Sequence, residues 1–208
     1  MITSELHARP RGSCSNTAIM ELHATRPARR EMLLGSCALV GAGVSPLRHQ
    51  QTVTVFSRVL LLRHAEKSDD DPQDPSLSEA GRARARSLDQ LLGAVRAAKL
   101  YATSYRRTRE TLAPLAERIG VEPELYDGHD LEGLIRHLSQ IDPALLVVVA
   151  GHSNTTPALA KALGVELEAL DERGFFPDAA YDRLVLLTLS RSASDRPVRA
   201  ICALELRY

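Results

Sequence analysis

Three short runs in the sequence set histidine or arginine directly after apolar stretches. Arg63-His64-Ala65-Glu66-Lys67 follows Val55–Leu62, Ser104-Tyr105-Arg106-Arg107-Thr108 follows Leu100–Thr103, and Gly151-His152-Ser153-Asn154 follows Leu145–Ala150. A guanidinium offers a planar fork of donors that matches phosphate oxygens. An imidazole titrates near neutral pH and can act as nucleophile, acid or base. Two histidines and at least two arginines gathered in one place would suit the binding and transfer of a phosphoryl group. No one of these runs is specific alone; their joint placement carries the reading.

That gathering depends on the elements between the runs. Val55–Leu62 is nearly continuous apolar sequence, as expected for a strand buried on both faces. Ser78-Glu79-Ala80-Gly81 opens a helix with Ser78 as its cap, and Leu88, Leu91, Leu92 and Val95 recur at helical spacing. Leu100–Thr103 reads as a short strand, Arg107–Ile119 as a helix ended by Gly120, and Glu124–Tyr126 as a further strand. Leu131–Leu138 reads as a short helix, Leu145–Ala150 as a buried strand, and a helix runs from about Thr156 to Leu163. Two strands, Leu184–Leu189 and Val198–Leu206, finish the chain, the last alternating enough to be an edge. Repeated strand-helix units predict an α/β three-layer sandwich: a mostly parallel central sheet flanked by helices, with a late antiparallel strand. In such sheets ligands sit beyond the carboxyl ends of the strands, which is where the three runs fall.

Composition sets the outer limits. The 208 residues carry 26 basic and 26 acidic side chains, so the strongly basic footprint of a nucleic-acid binder is absent. No apolar run reaches the roughly 18 residues of a membrane-spanning helix. Three cysteines without paired spacing exclude a disulfide framework and a cysteine-based zinc site.

The balanced charge hides an asymmetry, because residues 1–50 hold six arginines and three glutamates, a net +3. Residues 1–50 are therefore read as a leader, and residues 55–208 as the catalytic domain. Within the leader, Arg29-Arg30 precedes the mildly apolar, glycine-rich stretch Gly35–Val44. That layout is similar to a twin-arginine export signal, and predicts a periplasmic or extracellular protein. The alternative is a cytoplasmic protein with a disordered, over-annotated extension.

Leu62-Arg63-His64-Ala65-Glu66 resembles the Arg-His signature of the histidine phosphatase superfamily, the phosphoglycerate-mutase-like proteins. Leu77-Ser78-Glu79-Ala80-Gly81-Arg82 is similar to the segment that opens the family's first helix. Thr103-Ser104-Tyr105-Arg106-Arg107-Thr108-Arg109-Glu110-Thr111 resembles the turn with its second catalytic arginine, and Gly151-His152-Ser153-Asn154 its second-histidine motif. All four stand in family order. The resemblance implies that His64 is a nucleophile forming a phosphohistidine, with Arg63, Arg107 and His152 holding the phosphoryl oxygens. Aligning Thr111 with the family's threonine selects Arg107 over Arg106 and Arg109. Ser153 and Asn154 would contribute to substrate binding, and no metal or other cofactor is implied.

The sequence departs from the family at the general acid. Many members place a Glu or Asp directly after the second histidine, where this chain has Ser153, or after the third strand. The stretch Tyr126-Asp127-Gly128-His129-Asp130 then offers Asp127, with Asp130 and His129 as alternatives. The acidic run Asp69-Asp70-Asp71 with Asp74 reads as a solvated loop rather than a metal site. Phe175, Phe176 and Tyr181 read as cover for the sheet end, and the roles of Glu66 and Lys67 are open. The spacing between motifs leaves little room for the insertions with which mutases retain their intermediate. The expected function is thus a metal-independent phosphatase acting on phosphomonoesters or phosphoramidates, carried by small molecules or phosphoproteins, and similar to the small phosphohistidine phosphatases. The alternatives are a non-catalytic phosphate-binding protein on the same fold and, behind it, a phosphoglycerate-type mutase.

Overall fold

The structure, a computed structural model, describes residues 54–96, 98–192 and 198–208; residues 1–50, expected from the sequence to be a leader, and their basic pair lie outside them. The elements are β1 (Thr54–Arg63), α1 (Glu79–Leu91), β2 (Ala98–Ala102), α2 (Arg106–Ile119) and β3 (Glu124–Leu125). They continue with α3 (Leu131–Leu138), β4 (Leu146–Gly151), α4 (Thr155–Ala162), β5 (Arg183–Ser192) and β6 (Arg199–Arg207). Their sheet has the order β3-β2-β4-β1-β5-β6. Strands β1 to β4 are mutually parallel, and β5 is antiparallel to both of its neighbours, β1 and β6. The reversed strand is β5, so β6 again runs with β1 and forms the edge that its alternation predicted.

Helices cover both faces, which makes three layers. On one face Leu88 of α1 and Leu112 and Leu115 of α2 pack on Leu60, Leu62, Leu100 and Val148. On the other, Leu134 and Leu138 of α3 and Leu159 of α4 pack on Val59, Leu61, Val147 and Val149. Alternate residues of β1 and β4 thus feed opposite cores, which is why both strands read as unbroken apolar runs. The first residues of β1 behave differently: Phe56 is 52% exposed, and only from Val59 onward is the strand buried on both faces.

Local signals set the helix ends. The Ser78 hydroxyl accepts from the Gly81 amide at 3.1 Å and caps α1. Gly120, at φ +67°, closes α2 in the left-handed region that glycine enters without cost. The amide that opens α2, Arg106 N, donates to Asp74 Oδ1 at 2.8 Å, across the loop between β1 and α1. The acidic run is an exposed loop, as expected, that also supplies local hydrogen bonds and, through Asp74, a bond to α2. Asp71 Oδ1 accepts from the Gln73 and Asp74 amides, and the Asp70 carboxylate binds both the amide and the hydroxyl of Ser76. Its physical reason is Pro72 and Pro75, which break regular pairing and leave amides that nearby carboxylates satisfy. Among the described residues no group of His, Cys, Asp or Glu is placed to hold a metal ion, and no helix is long and apolar enough to cross a membrane.

Candidate active site

The carboxyl ends of β1, β2, β3 and β4 share one rim of the sheet, and β5 begins there. A cavity of about 840 Å³ opens on that rim, and Arg63, His64, Arg107 and His152 all line it. The four come from three separate turns of the chain. Arg63 and His64 end β1, Arg107 stands in the first turn of α2 beyond β2, and His152 follows β4.

His64 is 5% exposed, and its backbone amide donates to Gly151 O at 2.9 Å, fastening the end of β1 to β4. Its ring Nδ1 lies 2.8 Å from Ala65 O. A carbonyl only accepts, so Nδ1 carries the proton and Nε2 holds the lone pair. Burial pushes the His64 imidazole down to a pKa of about 3, and the charges of His152, Arg107 and Arg63 push the same way. The next amide, Ala65 N, donates to Thr111 Oγ1 at 2.9 Å, and that hydroxyl donates to Arg107 O at 2.6 Å. Thr111 thus ties the turn that carries His64 to the helix that carries Arg107.

Arg63 is gripped by main chain. Its Nη1 donates to Pro177 O at 2.9 Å and to Asp178 O at 3.1 Å, and its guanidinium lies 4.1 Å over the Tyr181 ring. Its Nε is buried with no hydrogen-bond partner among the described residues. Arg107 stacks 4.2 Å over Tyr105, sits 3.9 Å from Asp74, and brings Nη2 to 3.5 Å from His152 Nδ1. The His152 ring meets the His64 ring edge-on at 5.4 Å between centroids, and burial lowers its pKa to about 4 with help from Arg107 and Arg63. Gly151, just before it, tolerates no side chain: a Cβ there would come 2.7 Å from Thr155 Oγ1 and 2.9 Å from Thr156 Oγ1.

Other residues named from the sequence divide. Ser153, Asn154, Asp127, His129 and Lys67 line the cavity. Asp130 does not; its Oδ1 accepts from the Gly133 amide at 2.8 Å and caps α3. Asp127 Oδ1 accepts from the His129 amide at 2.8 Å, so this exposed carboxyl is held on the cavity wall. Arg106 pairs with Asp70 and Glu110 outside the cavity, and Glu66 is held by a two-pronged pair from Arg84. Phe176 is buried beneath the Arg183 guanidinium, while Tyr181 reaches the site only by stacking on Arg63 and standing 6.0 Å from the His64 ring. Sequence reasoning missed Thr103, whose Oγ1 meets His152 Nε2 at 2.9 Å, and Thr155, whose Oγ1 accepts the His152 amide at 2.8 Å. The signal available was weak: hydroxyl residues next to a strand end and at a helix start, where they commonly satisfy free amides.

The electrostatics have a consequence for stability. Both imidazoles have folded pKa values below the ordinary 6.5, so between about pH 3 and 6.5 the unfolded chain binds more protons. Stability must then fall as the pH drops through that window, by about 2 kcal/mol per histidine at pH 5. His64→Asn is expected to lose several degrees less in melting temperature than the native chain between pH 7.5 and 5. Circular-dichroism melts at the two pH values measure this, and equal losses would contradict it.

Comparison with known proteins fits this geometry. Residues 59–130 match the model of the histidine phosphatase superfamily, branch 1. No curated protein sequence matches the chain. Among solved structures, a putative SixA phosphohistidine phosphatase from Nakamurella multipartitia aligns at TM-score 0.50 and 21% identity, over 71% of this chain and 95% of that one. A mycobacterial protein described as hydrolase 2 aligns at TM-score 0.56 and 16% identity, over 70% and 88% of the two chains. The protein histidine phosphatase SixA in complex with tungstate aligns at TM-score 0.53 and 15% identity, over 71% and 96%. At these identities the structural likeness speaks for the fold, and the sequence likeness to the family is confined to residues 59–130. The Arg-His turn and the arginine at the head of α2 fall within the matched residues, and the Gly-His turn after β4 joins them around one cavity, so over residues 59–130 the chain is similar to the histidine phosphatase superfamily.

Proposed function

We propose that this protein is a phosphatase that hydrolyses phosphomonoesters or phosphoramidates through a phosphohistidine on His64 Nε2. The observation that carries the reading is the orientation of His64. Its Nδ1 proton is committed to Ala65 O, and its low pKa keeps the ring neutral at working pH, so Nε2 presents a lone pair. Attack by Nε2 forms an N–P bond while the bond from phosphorus to the leaving oxygen or nitrogen breaks. Arg63, Arg107 and His152 meet the charge on the three phosphoryl oxygens. A water then attacks phosphorus, returning one proton to the acid that protonated the leaving group and keeping the other on the product, while the N–P bond breaks back to His64 and inorganic phosphate leaves. No step calls on a metal ion, so turnover in EDTA should equal turnover without it.

Asp127 is the proton donor in this reading, with His129 on the same cavity wall as the alternative, while Asp130 is spent on a helix cap. Leaving-group protonation contributes about 100-fold or more where the departing oxygen is basic. Asp127→Asn should therefore slow an alkyl phosphate about 100-fold and a nitrophenyl phosphate only a few-fold. Equal slowing of both would remove Asp127 from that role.

The test of the whole reading is a trapping experiment. The full-length protein, mixed briefly with a 32P-labelled aryl phosphate and quenched in alkali, should carry label that acid releases and alkali does not. The label should map to the peptide containing His64. Turnover without such label, or label on another residue, would overturn the proposal. Binding of phosphate without any turnover would favour the binding-protein reading instead.

A further inference from the structure

Behind His152 lies a chain of buried hydroxyls, and its hydrogen-bond directions can be worked out. Thr108 Oγ1 stands 2.8 Å from Tyr105 O, 3.1 Å from Thr103 O and 2.9 Å from Thr103 Oγ1. Without a proton between them, Thr108 Oγ1 and Tyr105 O at 2.8 Å would set lone pair against lone pair, so the single Thr108 proton is best placed on that carbonyl and its oxygen is left to accept from Thr103. The Thr103 proton is then spent on Thr108, and Thr103 Oγ1 can only accept from His152 Nε2, 2.9 Å away. His152 in its neutral form is accordingly the Nε2–H tautomer. The opposite side of the ring agrees with this assignment. Arg107 Nη2, a donor without acceptor capacity, faces Nδ1 at 3.5 Å, so Nδ1 bears the lone pair.

This arrangement creates a mismatch with the ligand of the proposed reaction. A lone pair on Nδ1 repels an anionic oxygen, and the buried relay leaves the neutral ring no easy route to the other tautomer. Both threonines are nearly inaccessible, Thr103 at 3% exposed and Thr108 at 0%. We propose that the Thr103–Thr108 relay fixes the His152 tautomer, so that entry of a tetrahedral dianion is coupled to uptake of a proton on His152 Nδ1. Thr103 is thus a positioning residue that acts through His152. The inference rests on the reading of the cavity as a phosphoryl site.

The groups facing His152 bear on the coupling. Arg107 and Arg63 oppose its protonation in the empty site, as does His64 when charged. The Tyr105 ring packs edge-on at 5.2 Å between centroids, and Asp127, His129 and Asp178 stand on the walls of the same cavity. A bound dianion offsets the two guanidiniums and hydrogen-bonds Nδ1–H, which favours the charged ring.

Sulfate is the suitable probe, because it is a dianion that does not itself titrate near neutral pH. Nitrogen-15 spectra of the full chain with labelled histidine, assigned with His152→Asn, should show free His152 as the Nε2–H tautomer. Sulfate should shift that signal to the doubly protonated form. Calorimetry in two buffers of different ionisation enthalpy counts protons per sulfate bound. The native chain should take up about one proton more than Thr103→Val, in which either tautomer is open to the neutral ring. Thr103→Ser, which keeps the hydroxyl, should restore the native count. The Nδ1–H tautomer in the free protein, or equal proton counts in the native chain and Thr103→Val, would overturn the inference while leaving the oxyanion site standing. Failure of sulfate to bind at all would remove the site and the inference together.

Discussion

His64→Ala is expected to lower kcat/KM for an aryl phosphate by about 10,000-fold or more, while far-ultraviolet circular dichroism stays native. In the proposed covalent route His64 is the nucleophile, so its removal closes that route outright and leaves only binding and charge stabilisation by the remaining groups. His152→Ala or Arg107→Ala removes one contact to the developing charge and should cost about 100- to 1,000-fold each. The sharper form of the prediction concerns the double variant. If the four groups act as one unit, His64→Ala with Arg107→Ala should be scarcely slower than His64→Ala alone. Steady-state rates on the four proteins decide this. Losses that multiply, or a His64→Ala enzyme within tenfold of native, would mean that His64 is not the attacking group.

Gly81→Ala is expected to destabilise the domain by about 2–4 kcal/mol and to cost about 100-fold in activity, although residue 81 lies nowhere on the cavity wall. In an ordinary helix the exchange would gain about 1 kcal/mol. Here a Cβ would stand 2.1 Å from Glu66 O, with Glu66 C and N at 3.0 and 3.1 Å. All three are backbone atoms and cannot swing aside. Ser78 N donates to the same Glu66 oxygen at 2.9 Å, so the first turn of α1 lies directly on the turn that follows His64. Relief of the clash must part α1 from that turn, break the Ser78 bond and displace His64. A denaturant titration and an activity assay on the same preparation measure both effects, and a Gly81→Ala chain at least as stable as native would refute the packing argument.

Much of this architecture was legible in the residues. Hydrophobic runs gave β1 and β4 because residues such as Val59 and Leu60 feed opposite cores, and Ser78 and Gly120 marked helix ends by ordinary capping chemistry. The two histidine turns and the arginine at the head of α2 were readable because a parallel sheet delivers strand ends to one rim. The hydrogen bonds that orient those groups were not readable. Arg63 is held by the carbonyls of Pro177 and Asp178, more than 100 positions away, and main-chain acceptors leave no mark on residue type. The acidic run before α1 is an exposed loop, as read, but does more than its composition shows. Its composition is that of a solvated loop, yet Asp74 meets a helix amide 32 residues on. Asp130 illustrates the remaining ambiguity, since Asp at a helix start and Asp beside a pocket look alike until the cap bond is seen.

The grip of main chain on the reactive groups bears on how such a protein can change its diet. Arg63 is set by two carbonyl oxygens and His64 by a third, and a backbone oxygen survives the exchange of its own side chain. Lys67, Gln73 and Asp178 can therefore be replaced around the cavity mouth without loosening the groups that the proposed reaction assigns to phosphorus. A lineage built this way can try new leaving groups one loop residue at a time, keeping the reaction while it changes what the reaction is performed on.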